Sequence, residues 1–436
     1  MNVIVEITTL TNGGDGLGRV DGKAVFVSGA VPGDVVNCRL DVDKKRYAKG
    51  TLLDIVTAAP QRIQPECQHF AECGGCDWQM LSYAQQCAWK ARLLRENCQH
   101  QLDIAENVIL PLCPSAQPFG YRSRAQLKCY TSKNVFHVGF YQRASHKVVD
   151  VLSCPVVDPR INALIPVLRQ LFNTTNYAGD VAQIDVAVGD GGLARIVIHY
   201  VGSKSERFCA WLATEIAAHE LACWVQTADA ALCHIKGDAG ISISVDKPAL
   251  TLEYAPGGFA QINLAQNRAL VALVVEAVCG DDSPCSNAVA QAHIFDLYCG
   301  MGNFSLPLAR RVRQVTGVEG NAGSIRDAQS NARVNGITNV DFHVANVGKF
   351  MQAAQRHHDG PDIVVLDPPR AGVKELLALL VEQRAQRIVY VSCDQQTMLR
   401  DVRELCSACY RVHSIRPVDM FPQTAHTEVV VVLDLL

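Results

Sequence analysis

Asp296-Leu297-Tyr298-Cys299-Gly300-Met301-Gly302-Asn303 closes an apolar run that begins at His293. The run His293–Leu297 has the length and composition of a strand, and the glycines after it let the backbone turn tightly and approach a ligand closely. Leu306 to Arg311 then reads as helical. A second strand, Gln314 to Val318, ends in Glu319, and a helix is expected over Ala322 to Asn335. The strand ends Ala345-Asn346, Asp367 and Cys393 continue the rhythm. Strands alternating with helices predict a doubly wound, Rossmann-like α/β sheet whose ligands sit at the C-terminal ends of the strands.

Two of those ends carry chemistry. Ile363-Val364-Val365-Leu366 runs into Asp367-Pro368-Pro369-Arg370, and Val389-Tyr390-Val391-Ser392 runs into Cys393-Asp394. Side by side they would bring a thiol, a carboxylate and an arginine to one rim. Cys393 reads as a nucleophile. The plainer reading is an inert buried thiol, because activating a thiolate needs a special site. Glu319 lies 23 residues after Asp296, where a carboxylate can bind ribose hydroxyls. The glycine loop lacks a third glycine and no phosphate-cradling lysine follows. A nucleoside cofactor without a pyrophosphate, S-adenosylmethionine, therefore fits better than NAD.

Upstream, the chain changes character. Val3, Val5 and Ile7 alternate as in a strand, Asn12-Gly13-Gly14-Asp15-Gly16 is a turn cluster, and Ala24-Val25-Phe26-Val27 and Val35 to Leu40 are further strands. Residues 1–57 thus read as a small β-barrel. Lys44-Lys45-Arg46-Tyr47-Ala48-Lys49 combines cations with an aromatic, which suits phosphate contact and base stacking; a solvated loop is the plainer alternative. The stretch resembles a TRAM domain, an RNA-binding barrel related to the OB-fold.

Cys67-x5-Cys73-Gly74-Gly75-Cys76 follows. Three cysteines in ten residues can wrap one metal centre, with Cys154 the best fourth ligand and His69 an alternative. Four thiolates suit a [4Fe–4S] cluster or zinc. Residues 81–101 have helical periodicity, with Leu81, Ala84, Cys87, Ala88, Ala91 and Leu94 on one side. Phe119 to Arg124 and Tyr141-Gln142-Arg143 mix aromatics with arginines, as RNA contacts do. Gln183 to Val188 and Arg195 to Tyr200 read as a hairpin within an α+β region, and residues 280–291 as a surface loop. Three domains are expected: the barrel over 1–57, the cysteine-bearing central domain over 58–258, and the α/β domain over 259–436.

The net charge of −3 excludes a uniformly basic nucleic-acid binder, so any polyanion surface is a local patch, expected in the mildly basic first third. Met1-Asn2-Val3-Ile4-Val5-Glu6 has no basic segment leading into a long apolar run, and no run approaches a membrane span. A cytoplasmic chain without membrane contact is expected, and its 18 cysteines are then more apt for metal or thiol chemistry than for disulfides.

Asp-Pro-Pro also occurs in methyltransferases acting on amines, which continue with an aromatic residue that stacks on the base. Here Arg370 follows, and a cysteine ends the next strand. An amine is already nucleophilic, but C5 of uracil is not. A thiolate added at C6 makes it so, and a base must then take the C5 proton. With these residues in view the chain resembles the RNA uracil-5-methyltransferases over nearly its whole length. The motifs are Asp296 to Asn303, Leu366 to Arg370, Ser392-Cys393-Asp394, and Asp419-Met420-Phe421-Pro422-Gln423-Thr424-Ala425-His426-Thr427-Glu428. The barrel and the four cysteines point to the bacterial members acting on 23S rRNA, with tRNA or another 23S rRNA uridine as alternatives. The resemblance implies Cys393 as nucleophile and Glu428 as base. It implies S-adenosylmethionine contacts at Gln261, Tyr298, Asn303, Glu319, Asn346 and Asp367. Cys67, Cys73, Cys76 and Cys154 are the implied [4Fe–4S] ligands. The target is an unpaired or flipped-out uridine, and the enzyme is expected to act as a monomer without an obligate protein partner. Gln395 departs from the proline common after the catalytic Cys-Asn or Cys-Asp, and Tyr298 from a frequent phenylalanine. Cys299, in the cofactor loop, is assigned a packing role.

Overall fold

The computed structural model describes residues 1–238, 240–280, 286–357 and 360–436. Five strands, β1 (Asn2–Leu10), β2 (Gly16–Val20), β3 (Lys23–Val27), β4 (Val35–Asp43) and β5 (Tyr47–Thr57), close a barrel in the order β1-β2-β3-β5-β4. The alternation read in β1 sends Val5 and Ile7 inward against Val25, Val27 and Val36. Lys44, Lys45 and Arg46 occupy the β4–β5 turn and, with Tyr47 and Lys49, face solvent.

Helix α1 (Tyr83–Gln101) opens on a capping box: the Ser82 hydroxyl accepts from Gln85 N while the Gln85 side chain takes the Ser82 N–H. The helix is where expected, but its buried face is not. Ala84 and Ala88 are exposed, whereas Gln86, Lys90, Leu93, Leu94 and Cys98 are buried. The reason is distant. Lys90 Nζ donates to Asp419 Oδ1 (2.6 Å) and to the Phe421 carbonyl (3.0 Å), with both charged side chains fully buried. Lys90→Met would leave the Asp419 carboxylate buried without its cation. We expect a stability loss of about 3–5 kcal/mol, read as a lowered urea midpoint.

The central region holds β6 (Arg124–Ser132), β7 (Val135–Tyr141), β8 (Val148–Asp150), α2 (Pro159–Asn173), β9 (Val181–Ala187), β10 (Ala194–Tyr200), α3 (Ser205–Glu215), β11 (Leu221–Gln226) and β12 (Leu232–Lys236). The strands form one sheet, β12-β11-β10-β9-β6-β7-β8, with the expected β9–β10 hairpin at its centre. A separate hairpin, β13 (Ile241–Val245) with β14 (Leu250–Tyr254), packs into the core of the C-terminal sheet. So do Leu94, Cys98, Leu102 and Ile109, on the opposite face. Segments on both sides of the central sheet therefore serve the C-terminal core.

The C-terminal elements are α4 (Leu264–Cys279), α5 (Asn287–Ala290), β15 (His293–Leu297), α6 (Ser305–Ala309), β16 (Gln314–Glu319), α7 (Ala322–Val334), β17 (Val340–Val344), α8 (Val347–Arg356), β18 (Ile363–Leu366), α9 (Leu377–Gln383), β19 (Arg387–Ser392), α10 (Gln395–Ala408), β20 (Tyr410–Val418) and β21 (Glu428–Leu435). The sheet order is β17-β16-β15-β18-β19-β21-β20. The first five strands are parallel, and β21 and β20 close the edge as an antiparallel pair. Chain order reverses between β15 and β18, and a crevice is expected outside the strand ends there. Of the loop expected over 280–291, residues 281–285 lie outside the described residues. Among the described residues no helix is long and apolar enough to cross a membrane.

Candidate active site

The glycine loop is set by backbone geometry. Tyr298 N and Cys299 N both donate to the Val318 carbonyl (2.8 and 3.1 Å), which folds the chain back over the end of β16. The turn needs positive φ at Tyr298 (67°), Gly300 (56°) and Gly302 (89°). Glycine meets that demand without strain, and tyrosine does not. A Cβ on Gly302 would also press within 3.1 Å of the Leu306 side chain. Beneath the loop, Asp296 is fully buried and its Oδ2 accepts from Ser305 Oγ, while Oδ1 has no hydrogen-bond partner among the described residues. Burial pushes this carboxyl up to about 7. Cys299 is buried with its sulfur against Gly317, in keeping with the packing role.

A cavity of about 800 Å³ opens above these strand ends, and Gln261, Tyr298, Glu319, Asp367, Cys393 and Glu428 all line it. Six of the expected site residues thus meet in one space. Glu319 is oriented by the Asn321 N–H, which donates to its Oε1 (2.8 Å). Asn303 and Asn346 stand outside this lining. The Asn303 side chain exchanges reciprocal hydrogen bonds with Asn267 (both 2.9 Å), and Asn346 caps α8 by accepting from Lys349 N (3.1 Å).

Strand pairing brings Cys393 and Glu428 to the same end of the sheet. Ser392 of β19 lies opposite Val429 of the antiparallel β21, the last pair of that ladder, so Cys393, which follows Ser392, and Glu428, which precedes Val429, leave the ladder at the same end. Glu428 is buried at the cavity wall and Cys393 is half-buried. Burial pushes the Cys393 thiol up, the nearby Glu428 and Asp367 carboxyls add to this, and the Arg370 guanidinium opposes it. Burial, then Asp367, hold Glu428 well above the usual carboxylate range, again against Arg370. Asp367 itself is raised to about 7 by burial and by Asp296. Asp367 and Glu428, neighbouring acids in the cavity lining, resist ionising together, which would make Glu428 a strong base once it has lost its proton. Gln395 is the first residue of α10, after the cap Asp394, whose Oδ1 accepts from Thr397 N (2.8 Å). That is the helix position where proline is also accommodated, so glutamine there leaves the turn intact.

Sequence reasoning missed Asp77 and, while quoting Phe421 and His426 within the motif that ends in Glu428, gave them no role of their own; all three share the same cavity lining. Asp77 was masked by its place in the cysteine segment, and nothing local marks its closeness to a loop some 350 residues away.

The four cysteines also come together. Cys67, Cys73, Cys76 and Cys154 line one small, largely apolar cavity of about 30 Å³ with Phe70 and Phe140. Burial pushes Cys76 up to about 12 and raises Cys73 and Cys154, and the neighbouring thiols add to each shift. Four sulfurs facing one apolar space match the donor set of a thiolate-bound centre, which would supply the positive charge their ionised forms lack. Among the described residues, however, no group of three or more His, Cys, Asp or Glu is disposed to hold a metal ion. The sulfurs are gathered, but they are not in coordination geometry.

A family model described as tRNA (Uracil-5-)-methyltransferase matches residues 114–435. The chain belongs to that family. Its barrel matches the TRAM domain over residues 2–53. Relatives of this uracil-5-methyltransferase include two enzymes described as 23S rRNA (uracil(1939)-C(5))-methyltransferase RlmD. The one from Methylococcus capsulatus is 36% identical, covering 99% of this chain and 97% of its own. The one from Vibrio cholerae is 33% identical, covering 97% and 94%. The solved Pyrococcus abyssi tRNA (uracil-54, C5)-methyltransferase, in complex with S-adenosyl-L-homocysteine, superimposes with a TM-score of 0.74. It is 25% identical over 99% of this methyltransferase and all of that chain.

Proposed function

We propose that this methyltransferase transfers a methyl group from S-adenosylmethionine to C5 of a specific uridine in 23S rRNA, through a transient bond between Cys393 and C6. The observation that carries the reading is that Cys393 and Glu428, each next to the Ser392–Val429 pair, line one cavity with Gln261, Tyr298 and Glu319. Bound there, S-adenosylmethionine supplies an electrophilic methyl group. The Cys393 thiolate adds to C6 of a flipped-out uracil, and the electron pair displaced toward C5 and O4 lets C5 take the methyl. Glu428 then accepts the C5 proton, the sulfur–C6 bond breaks, and the thiolate is restored. Arg370 stabilises the two anions this sequence needs, since it opposes the upward shift of both groups.

Gln261, Tyr298, Glu319 and Asp367 would hold the cofactor from the cavity wall, with Asn303 and Asn346 shaping the adjoining turns. Removing the Glu319 carboxylate, by Glu319→Ala, is expected to weaken binding of S-adenosylhomocysteine about tenfold, the worth of one charge-assisted hydrogen bond. Isothermal titration calorimetry reads this directly. Cys67, Cys73, Cys76 and Cys154 would hold a [4Fe–4S] cluster in a structural role. The deciding experiment uses 23S rRNA transcripts containing 5-fluorouridine, from which the proton-removal step cannot proceed. A covalent protein–RNA adduct is expected; its absence would sink the proposed chemistry. The likeness to a tRNA enzyme supports a second reading, a tRNA uridine as substrate. Tritium release from 5-³H-uridine transcripts of both RNAs separates the two.

A further inference from the structure

Residues 419–427 lead from β20 to Glu428 without forming helix or strand, yet Asp419, Met420, Gln423 and Thr427 are buried. The cysteine segment does much to hold them. Asp77 N and Trp78 N both donate to the Gln423 carbonyl (2.8 and 3.0 Å). Asp77 Oδ2 accepts from Ala425 N (3.2 Å), and its Oδ1 from Arg143 Nη1 (2.8 Å). The other Arg143 nitrogen donates to the Cys76 carbonyl. Gln423 adopts a left-handed backbone, φ 69°, which an L side chain keeps only when its surroundings enforce it. They do. Gln86 Oε1 accepts from Gln423 N and Gln86 Nε2 donates to Gln423 Oε1 (both 2.9 Å), while Gln423 Nε2 donates to the Pro118 carbonyl (3.3 Å).

The same turn separates the two cavities. Gly74, Gly75 and Asp77 line the space that holds Cys393 and Glu428, and Gly75 also lines the space shared by the four cysteines. A side chain at Gly74 would be tight, because its Cβ would lie 3.1 Å from the Arg143 backbone, which would have to give way slightly.

We propose that Asp77 is a positioning residue for proton removal: by holding Ala425 and Gln423, the turn after Cys76 fixes the carboxyl of Glu428, three residues further on. The role rests on reading Glu428 as the base. It makes the cysteine segment part of the active site's framework, beyond any part in holding a cluster or contacting RNA.

The reaction supplies a test that a general structural role would not pass. Trapping on 5-fluorouridine RNA needs Cys393 addition and methyl transfer but stops before proton removal. Asp77→Ala should therefore lower tritium release from 5-³H-uridine RNA about tenfold or more, the expected effect of a misplaced catalytic group. Its trapping rate should stay within about twofold of the parent. Asp77→Asn keeps the volume and one acceptor but cannot serve Ala425 and Arg143 together, so a selective loss of about threefold is expected. In protein without RNA, amide hydrogen exchange across Ala425–Glu428 should quicken in both variants. Parallel losses in the two assays, or no loss in either, would overturn the proposal. If Asp77→Ala does not fold, Asp77→Asn decides by the same comparison. A parent chain that never traps would instead overturn the reaction itself, and the exchange measurement distinguishes the cases because it reads the latch without substrate.

Discussion

Cys393→Ala is expected to reduce methylation by about 10⁴-fold or more, as removal of an essential nucleophile does, and to abolish the covalent adduct with 5-fluorouridine RNA. Uracil C5 is too weak a nucleophile to attack a methyl donor unaided, so no residual pathway of comparable rate remains. Cys393→Ser should be equally inactive, because burial and two neighbouring carboxyls that already raise a thiol would hold a hydroxyl still more firmly protonated. Binding of S-adenosylhomocysteine should be preserved in both variants, since Cys393 ends β19 while the glycine loop and Glu319 end β15 and β16. Gel-shift of a denatured protein–RNA band and tritium release give the two readings. A serine variant working at the parent rate would refute nucleophilic catalysis here.

Glu428→Gln is expected to fail later in the same reaction. Glutamine preserves the side chain's shape but cannot accept the C5 proton. Turnover should fall about 10²- to 10⁴-fold, the usual worth of a general base. Addition and methyl transfer survive, so a methylated protein–RNA adduct should accumulate even on ordinary uridine, where the parent shows little. The pH dependence has a definite sign. Cys393 and Glu428 both lie above their ordinary values, and both must lose a proton to act. The parent's rate should therefore rise with pH through the neutral range into the alkaline. In the glutamine variant the dependence on Glu428 disappears and that on Cys393 remains. An unchanged pH profile, or full turnover without adduct, would remove Glu428 from the role of base.

The parallel part of the catalytic sheet was legible because each strand is a short apolar run with chemistry at its end: β15 before the glycine loop, β18 before Asp367, β19 before Cys393. The barrel was legible from alternation and turn residues. The antiparallel edge was not read. Glu428 was singled out through a motif, although Glu428–Leu435 is itself a buried strand, and only the pairing of that strand with β19 explains why its carboxyl and the Cys393 thiol share one end of the sheet. The buried side of α1 was misread because local periodicity weighs apolar residues. Lys90 and Gln86 go inside only since partners more than 300 positions away, Asp419 and Gln423, await them there. For the same reason the contact between Asp77 and Ala425 leaves no trace in either neighbourhood of the sequence.

The spacing between sulfur and carboxyl is inherited from main-chain pairing between β19 and β21. Family members are therefore free to exchange one branched apolar residue for another along Val429–Val432, provided the tally of residues is kept. A single insertion ahead of Val429 would rotate the carboxyl to the other side of the sheet, leaving every motif recognisable and the enzyme inert. Indels, more than substitutions, are the changes this edge of the molecule should have been least able to absorb.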